Sequence, residues 1–160
     1  MKKWVVFIFI LCSVHIVFAE TLAISVGESY NPGEEVVFTI NLYDDSRTIL
    51  YEQVQYEIVD FYTERAAEGT TTSGVQTRFT LPDNAIRGYW AVIVRYNGDE
   101  HKQLFNVMEL EKVEITLEGE VLVVKNVGNV PYRKSIQILI GDYEETALVP
   151  LGIGESKEIK

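Results

Sequence analysis

The clearest pattern of hydrophobic and polar positions lies in segment 88–107, which predicts a β-hairpin. Its centre is Asn97-Gly98, a dipeptide that favours a two-residue type I′ turn because both positions tolerate positive φ. A register centred on this turn pairs Arg95 with Glu100, which carry opposite charges. The same register places five apolar residues on one face: Trp90, Val92, Val94, Phe105 and Val107. Such a face needs a second sheet to cover it, so the hairpin predicts a β-sandwich.

Alternation with a period of two residues also occurs on either side of this hairpin. Four segments before it alternate and predict strands: 21–26, 35–43, 52–60 and 75–81. In the last of these, the alternation places Val75 and Leu81 toward the core. Segment 63–74 has no periodicity, so we predict a mobile loop there. Short strands at this spacing, without a helical segment, are typical of an immunoglobulin-like sandwich.

A second group of alternating segments occupies the last third of the chain. The segments are 112–117, 121–125, 135–140 and 143–149. Turn 126–131 contains Gly128 and two asparagines, Asn126 and Asn129, which tolerate left-handed backbone. Segment 155–160 begins a further strand and stops. We therefore expect a second sandwich that is small or incomplete, as in a fragment or a truncated reading frame.

The first residues have the pattern of a secretory signal. Lys2 and Lys3 precede an apolar run over 4–18, and Ala19 ends a small-residue cleavage motif. An uncleaved transmembrane anchor is the alternative, but this run is shorter than the roughly 20 residues that a membrane-spanning helix needs. The sequence thus predicts three parts, namely a cleaved signal peptide at 1–19, an immunoglobulin-like sandwich at 20–109 and a second sandwich module at 110–160.

The charge of the chain narrows the classes of partner. The chain has 14 Lys and Arg residues against 24 Asp and Glu, a net charge of −10, and cleavage would remove two lysines. Nucleic acid and anionic lipid would be repelled, so we expect no nucleic-acid partner and membrane contact only through a downstream anchor. The single cysteine, Cys12, lies in the predicted signal peptide. The mature chain would therefore have no disulfide, and its stability would depend on packing.

Catalytic and zinc chemistry have little support in the sequence. Cleavage at residue 19 leaves one histidine, His101, for a Ser–His–Asp arrangement, and no nucleophile motif accompanies it. We expect His101 on a strand, opposite Val94. Zinc is disfavoured by the lack of thiols, whereas the paired carboxylates of glycoside hydrolases stay open because Asp and Glu occur throughout. We predict no catalytic, cofactor-binding or metal-binding residues, and no cofactor.

Calcium and carbohydrate stay open as ligands. Calcium needs only oxygen ligands on loops, and five acidic residues are candidates: Asp44, Asp45, Asp60, Asp99 and Glu100. They lack the spacing of a calcium-binding loop, and Asp also favours turns by bonding its own backbone. Carbohydrate stacks on aromatic rings, and four tyrosines are expected on outward faces or in loops: Tyr43, Tyr51, Tyr62 and Tyr89.

Four short motifs follow one another in the order of a known sandwich family. They are Tyr30-x-Pro32-Gly33-Glu34-x-Val36-x-Phe38, Phe79-x-Leu81-Pro82, Gly88-Tyr89-Trp90-x-Val92 and Phe105-x-Val107. With them, segment 24–107 resembles the macroglobulin-type sandwich, the immunoglobulin-like domain repeated along alpha-2-macroglobulins and related envelope proteins. The resemblance implies a fold rather than an activity, since the protease trap of that family uses a Cys–Gln thioester and a bait region on other domains. This chain has no cysteine beyond Cys12, so it cannot be that trap.

The second group of strands carries the motifs of another surface family. They are Val123-Val124-Lys125-Asn126-x-Gly128-Asn129-x-Pro131-Tyr132, Ile138-x-Ile140-Gly141, Leu151 and Gly154-Glu155. Segment 111–160 is similar in these motifs to the CARDB-type adhesion-related sandwiches of bacterial and archaeal surface proteins, and it departs from them by lacking the final strand. Both resemblances imply extracellular modules that space, stack and bind, and neither implies a reaction.

The combined prediction is an exported, non-enzymatic protein of a prokaryotic cell envelope. Its fold class would be all-β, with two consecutive immunoglobulin-like β-sandwich modules after the signal peptide. Its role would be structural or adhesive, and its partner would be a protein or a glycan at the cell surface. The alternative function is that of a carbohydrate- or calcium-binding extracellular module.

Overall fold

The computed structural model describes residues 21–159, and all regular secondary structure in that range is β-strand. The strands are β1 (Thr21–Val26), β2 (Ser29–Tyr30), β3 (Glu35–Tyr43), β4 (Gln53–Val59), β5 (Arg65–Thr72), β6 (Gln76–Thr80), β7 (Gly88–Tyr96), β8 (Asp99–Val107), β9 (Val113–Glu118), β10 (Val121–Asn126), β11 (Ser135–Ile140), β12 (Tyr143–Leu148) and β13 (Ser156–Ile159). The all-β class is confirmed. The predicted signal peptide at 1–19 lies outside the described residues. Across 21–159, no apolar helix has the length needed to span a bilayer.

Strands β1 to β8, here called the first module, form two sheets that enclose one core. One sheet has the order β1-β3-β6 and the other has the order β2-β8-β7-β4-β5. The largest fully buried side chains between them come from both sheets: Val36, Phe38, Ile40, Leu42, Val54, Ile58, Val92, Val94, Phe105 and Val107. The inward faces predicted for 35–43 and 88–107 are therefore confirmed.

The hairpin of β7 and β8 has the predicted register. Trp90 pairs with Phe105 and Arg95 pairs with Glu100. Asn97 has a φ of 50° and Gly98 a φ of 89°, as a type I′ turn requires. The turn dipeptide sets the register of the two strands, and the register places Trp90 and Phe105 together on the face that enters the core.

Segment 63–74 is not a mobile loop, so that prediction was wrong. Arg65–Thr72 forms β5, the edge strand of the five-stranded sheet, and pairs with β4. An edge strand has one neighbour and a solvated side, so polar β-branched residues are sufficient there and strict alternation is not needed. Val75, predicted toward the core, is exposed because it lies in the turn between β5 and β6, where its N–H donates to the Thr72 carbonyl.

Strands β9 to β13, here called the second module, form two further sheets. Their orders are β13-β10-β9 and β11-β12. The core between them is smaller than that of the first module and contains Val124, Tyr132, Ile136, Val149 and Leu151. The two modules thus have separate sheets and separate cores, while the proposed boundary between residues 109 and 110 stays a prediction.

Candidate functional site

The turn over 126–131 is held together by Asn126, a buried side chain at the end of β10. Its Nδ2 donates to the carbonyl oxygens of Val130 at 2.9 Å and Gly152 at 3.1 Å, and its Oδ1 accepts the Gly128 N–H at 2.9 Å. A buried amide with partners on both of its polar atoms is stabilising, whereas an unpaired one would be costly. Asn126 therefore gives this turn one defined conformation.

Asn129 of the same turn connects the two modules. Its Nδ2 donates to the carbonyl oxygen of Ala85 in the first module at 2.9 Å and to that of Met108 at 2.8 Å. Its Oδ1 accepts the Leu110 N–H at 2.7 Å. The side chain is buried, its hydrogen bond to Ala85 is buried as well, and those with Met108 and Leu110 are partly buried. We call this set of contacts the Asn129 junction.

Main-chain contacts run alongside the Asn129 junction. The N–H groups of Val127 and Gly128 both donate to the Lys112 carbonyl, at 3.0 and 3.1 Å. Glycine is required at position 128, because a Cβ there would lie 2.0 Å from the Leu110 carbonyl oxygen. Turn 126–131 and the segment between the modules therefore approach each other more closely than any side chain would permit.

Two ion pairs flank the junction. Arg87 of the first module pairs with Glu109, and Lys134 pairs with Glu111 at 2.5 Å. The hydrogen bond from Lys134 lowers the pKa of Glu111, and the same bond raises the pKa of Lys134. Exposed pairs of this kind contribute little to stability, so the buried hydrogen bond from Asn129 to Ala85 is the more important contact between the modules.

An apolar groove lies beside the junction and is lined by residues of both modules. Its apolar residues are Phe61, Tyr62, Ile86, Met108, Pro131 and Ile153. The rings of Phe61 and Tyr62 meet edge to face, with centroids 5.3 Å apart. Phe61 can lie against β7 because Gly88 has a φ of 112° and no side chain, and a Cβ there would be 2.7 Å from the ring. This groove exists only while the two modules keep their relative orientation.

A charged network covers part of the outer face of the five-stranded sheet. Glu57 accepts a hydrogen bond from Arg95 at 2.8 Å and lies 3.5 Å from the Arg65 guanidinium. Arg95 also donates to Glu100 at 3.0 Å. The hydrogen bond from Arg95 holds the pKa of Glu57 below its usual range, so this carboxylate stays ionised at neutral pH. These ion pairs link four neighbouring strands of the sheet, namely β5, β4, β7 and β8.

Comparison with known proteins supports the fold. No protein-family model matches the chain, and no curated protein matches it. Among solved structures, the chain is similar to the cryo-EM reconstruction of the native conformation of E. coli alpha-2-macroglobulin, with a TM-score of 0.53 and 12% sequence identity. The chain has a macroglobulin-like fold.

That similarity covers 88% of this chain and 12% of the E. coli chain. The matched part is longer than segment 24–107, so it includes residues of the second module. At this sequence identity, the similarity shows the fold alone. The macroglobulin-type resemblance is therefore confirmed as a fold, while the CARDB-type resemblance of 111–160 stays a prediction.

The acidic residues considered for calcium are dispersed. Asp44 Oδ1 accepts hydrogen bonds from the N–H groups of Ser46 and Thr48, at 2.8 and 2.9 Å. Asp60 Oδ1 likewise accepts hydrogen bonds from the N–H groups of Tyr62 and Glu64, at 2.9 and 2.8 Å. Both residues therefore shape turns through their own backbone. Within 21–159, no three or more His, Cys, Asp or Glu side chains are grouped as ligands for a metal ion.

The tyrosines considered for carbohydrate are also spread over the molecule. Tyr51, Tyr62 and Tyr89 are exposed, and Tyr43 is half-buried. Tyr51 precedes β4 whereas Tyr62 follows it, so these two rings lie at opposite ends of that strand. His101 lies opposite Val94 on the hairpin, in the position that the register predicted.

The sequence pattern did not reveal the role of Gly128 and Asn129. Both residues were expected to form a turn, which they do, but the partner of Asn129 at Ala85 is 44 residues away. The available signal was two asparagines three residues apart around a glycine. That pattern identifies a turn without indicating what the turn contacts.

Proposed function

We propose that this chain is an exported, non-enzymatic protein of a prokaryotic cell envelope, with a structural or adhesive role exerted through contacts with other proteins. The observation that carries the proposal is the Asn129 junction, which holds two sandwich modules in one orientation. Modules joined within a chain normally move relative to each other unless their contact is extensive or specific. A buried, fully hydrogen-bonded amide supplies that specificity here.

A fixed orientation is useful to a protein that spaces or presents surfaces. The groove of Phe61, Tyr62, Ile86, Met108, Pro131 and Ile153 combines residues of both modules into one apolar surface. Contiguous exposed apolar surface on a soluble domain is often an interaction site. The macroglobulin-like fold and the acidic composition agree with a role outside the cytoplasm.

Rigid coupling predicts a narrow distribution of distances between the modules. We expect spin labels at Lys102→Cys and Ser135→Cys, in the mature chain that lacks Cys12, to give one narrow peak in a double electron–electron resonance experiment. A label pair within the first module, Lys102→Cys and Gln53→Cys, is the matched control for the width that the labels themselves contribute. A distribution several times broader for the pair that spans the two modules would contradict the proposal.

Export predicts a defined mature amino terminus. Mass spectrometry of the native product should give a chain that begins at Glu20, found in the envelope or medium fraction of the source cell. The variant Ala19→Arg removes the small residue before the cleavage site, so it should retain residues 1–19. Recovery of the native chain from the cytoplasm with Met1 still present would refute export.

The alternative function, binding of carbohydrate or calcium, has weaker support. Tyr51 and Tyr62 flank β4 from opposite ends, so these two exposed rings do not share one platform. The carboxylates of Asp44 and Asp60 are already engaged by backbone N–H groups of their own turns. An interaction with another protein therefore accounts better for the apolar groove beside the Asn129 junction.

A further inference from the structure

Met108 carries the only sulfur atom of residues 20–160. The chain has two methionines and one cysteine, and Met1 and Cys12 both lie in the predicted signal peptide. The Met108 side chain is 44% exposed, so small molecules in solution can reach it. A thioether is readily oxidised to the sulfoxide, and no thiol in residues 20–160 competes with Met108 for an oxidant.

The Met108 side chain lines the apolar groove beside the Asn129 junction, next to an amide donor. Phe61 and Ile86 are among its apolar neighbours in the groove lining. Asn106 lines the same groove, and its Nδ2 donates to the Met108 sulfur at 3.3 Å. A thioether sulfur is a weak acceptor, whereas a sulfoxide oxygen is a strong one. The Asn106 amide is therefore positioned to donate to the oxidised side chain.

The main chain of Met108 belongs to the Asn129 junction, whereas its sulfur does not. The Met108 N–H donates to the Tyr30 carbonyl at 2.9 Å, and the Met108 carbonyl accepts a hydrogen bond from Asn129 Nδ2 at 2.8 Å. Neither bond uses an atom of the Met108 side chain. Oxidation of the sulfur therefore changes the surface of the groove and leaves these two hydrogen bonds in place.

We propose that Met108 is a peroxide-sensitive switch of the groove. A lone pair of its sulfur attacks one oxygen of hydrogen peroxide, and the O–O bond breaks as the S–O bond forms. The other oxygen leaves as water after taking the proton of the transferred oxygen. The sulfur is oxidised by two electrons and the peroxide is reduced by two. The product is methionine sulfoxide, whose oxygen accepts the hydrogen bond from Asn106.

The expected consequence is a groove that loses its apolar character on oxidation. A partner's apolar side chain seated there would desolvate the sulfoxide oxygen, which costs free energy and weakens binding. A methionine sulfoxide reductase with a thiol reductant restores the thioether, and the exposure of Met108 gives such an enzyme access. The inference rests on the proposed function in taking the groove as a contact surface, and it adds a regulation of that surface.

The first test treats the mature chain with hydrogen peroxide and locates the product by peptide mass spectrometry. We expect one added oxygen, at Met108, with a rate constant within about fivefold of that of a short methionine peptide, because the side chain is exposed. In ¹H–¹⁵N NMR, the Asn106 side-chain amide should shift downfield, whereas the Asn129 amide should keep its shift. Methionine sulfoxide reductases A and B with dithiothreitol should reverse both changes. Met108→Leu is the matched control, and its mass and spectrum should not respond to peroxide.

The second test measures the groove with Nile red, a neutral apolar dye whose fluorescence rises in apolar surroundings. We expect saturable binding by the reduced chain and an affinity at least about fivefold lower after oxidation. Met108→Leu should bind the dye before and after peroxide treatment. Met108→Gln introduces a polar amide at the same position, so it should bind weakly without any peroxide. The contrast between these two variants assigns the dye signal to the groove.

Four results would overturn the proposal. They are oxidation of Met108 about a hundredfold slower than that of the peptide, an Asn106 amide that does not shift, dye binding that is absent or unchanged by oxidation, and a broader distance distribution for labels at positions 102 and 135 after oxidation. The last result would mean damage to the junction rather than a change of the groove surface. The spin-label experiment on the untreated chain tests the proposed function separately, since the mass and amide-shift readouts do not depend on its result.

Discussion

Replacing Trp90 with alanine is expected to destabilise the first module by about 3–5 kcal/mol, which is the usual cost of truncating a large buried aromatic residue. Trp90 is 3% exposed, and its ring lies 6.3 Å from that of Phe105 on the neighbouring strand. Its indole Nε1 also donates to the Ile86 carbonyl at 2.7 Å. The substitution therefore leaves a cavity between the sheets and removes the donor to that carbonyl.

Urea denaturation followed by circular dichroism measures this loss. Tyr89→Ala is the matched control, because Tyr89 adjoins Trp90 on β7 but points outward and is 64% exposed. It should change the free energy of unfolding by no more than about 0.5 kcal/mol. Trp90→Phe keeps an aromatic ring and removes the N–H, so it should fall between the two. Equal stability of Trp90→Ala and Tyr89→Ala would mean that the hairpin does not anchor the core.

The second large effect is expected at Gly128. Alanine there would place its Cβ 2.0 Å from the Leu110 carbonyl oxygen and 2.8 Å from the Lys112 nitrogen. Both are backbone atoms, so no side chain can rotate away to relieve the clash. Overpacking of this kind usually costs about 1–3 kcal/mol, and we expect a value at the upper end because the backbone must move.

The expected consequence of Gly128→Ala is separation of turn 126–131 from the segment between the modules. The free energy of unfolding of the second module should fall, and the distance distribution for labels at positions 102 and 135 should broaden. Gly152→Ala is the matched control, since the nearest atom to its Cβ would be an oxygen at the end of the Glu155 side chain, at 3.2 Å, rather than a backbone atom. If both variants kept the narrow distribution of the native chain, close approach at Gly128 would not be what orients the modules.

Local patterns were sufficient for most of the first module. Asn97-Gly98 determines its own turn and thereby the register of β7 and β8, because the requirement for positive φ is met by the two residues themselves. The alternation over 35–43 likewise gives the buried face of β3, since neighbouring side chains of a strand point to opposite sides. In both cases the information lies within a few residues.

The same reasoning failed for β5. Residues 65–72 do not alternate, and their placement as a strand comes from pairing with β4 rather than from their own pattern. An edge strand with one neighbour buries few side chains, so it can form without apolar alternation. A sequence pattern that relies on burial does not detect such a strand.

The sequence by itself determined that this protein is all-β, that its central hairpin pairs in one register, and that an Asn-x-Gly-Asn turn begins near residue 126. Only the tertiary structure decided that Asn129 of this turn bonds Ala85, and that residues 65–72 pair with β4 as an edge strand. The physical reason is how far apart in the sequence the interacting residues lie. A turn depends on the φ and ψ of adjacent residues, whereas a junction between modules and the pairing of an edge strand depend on which distant segments meet once the sheets have packed.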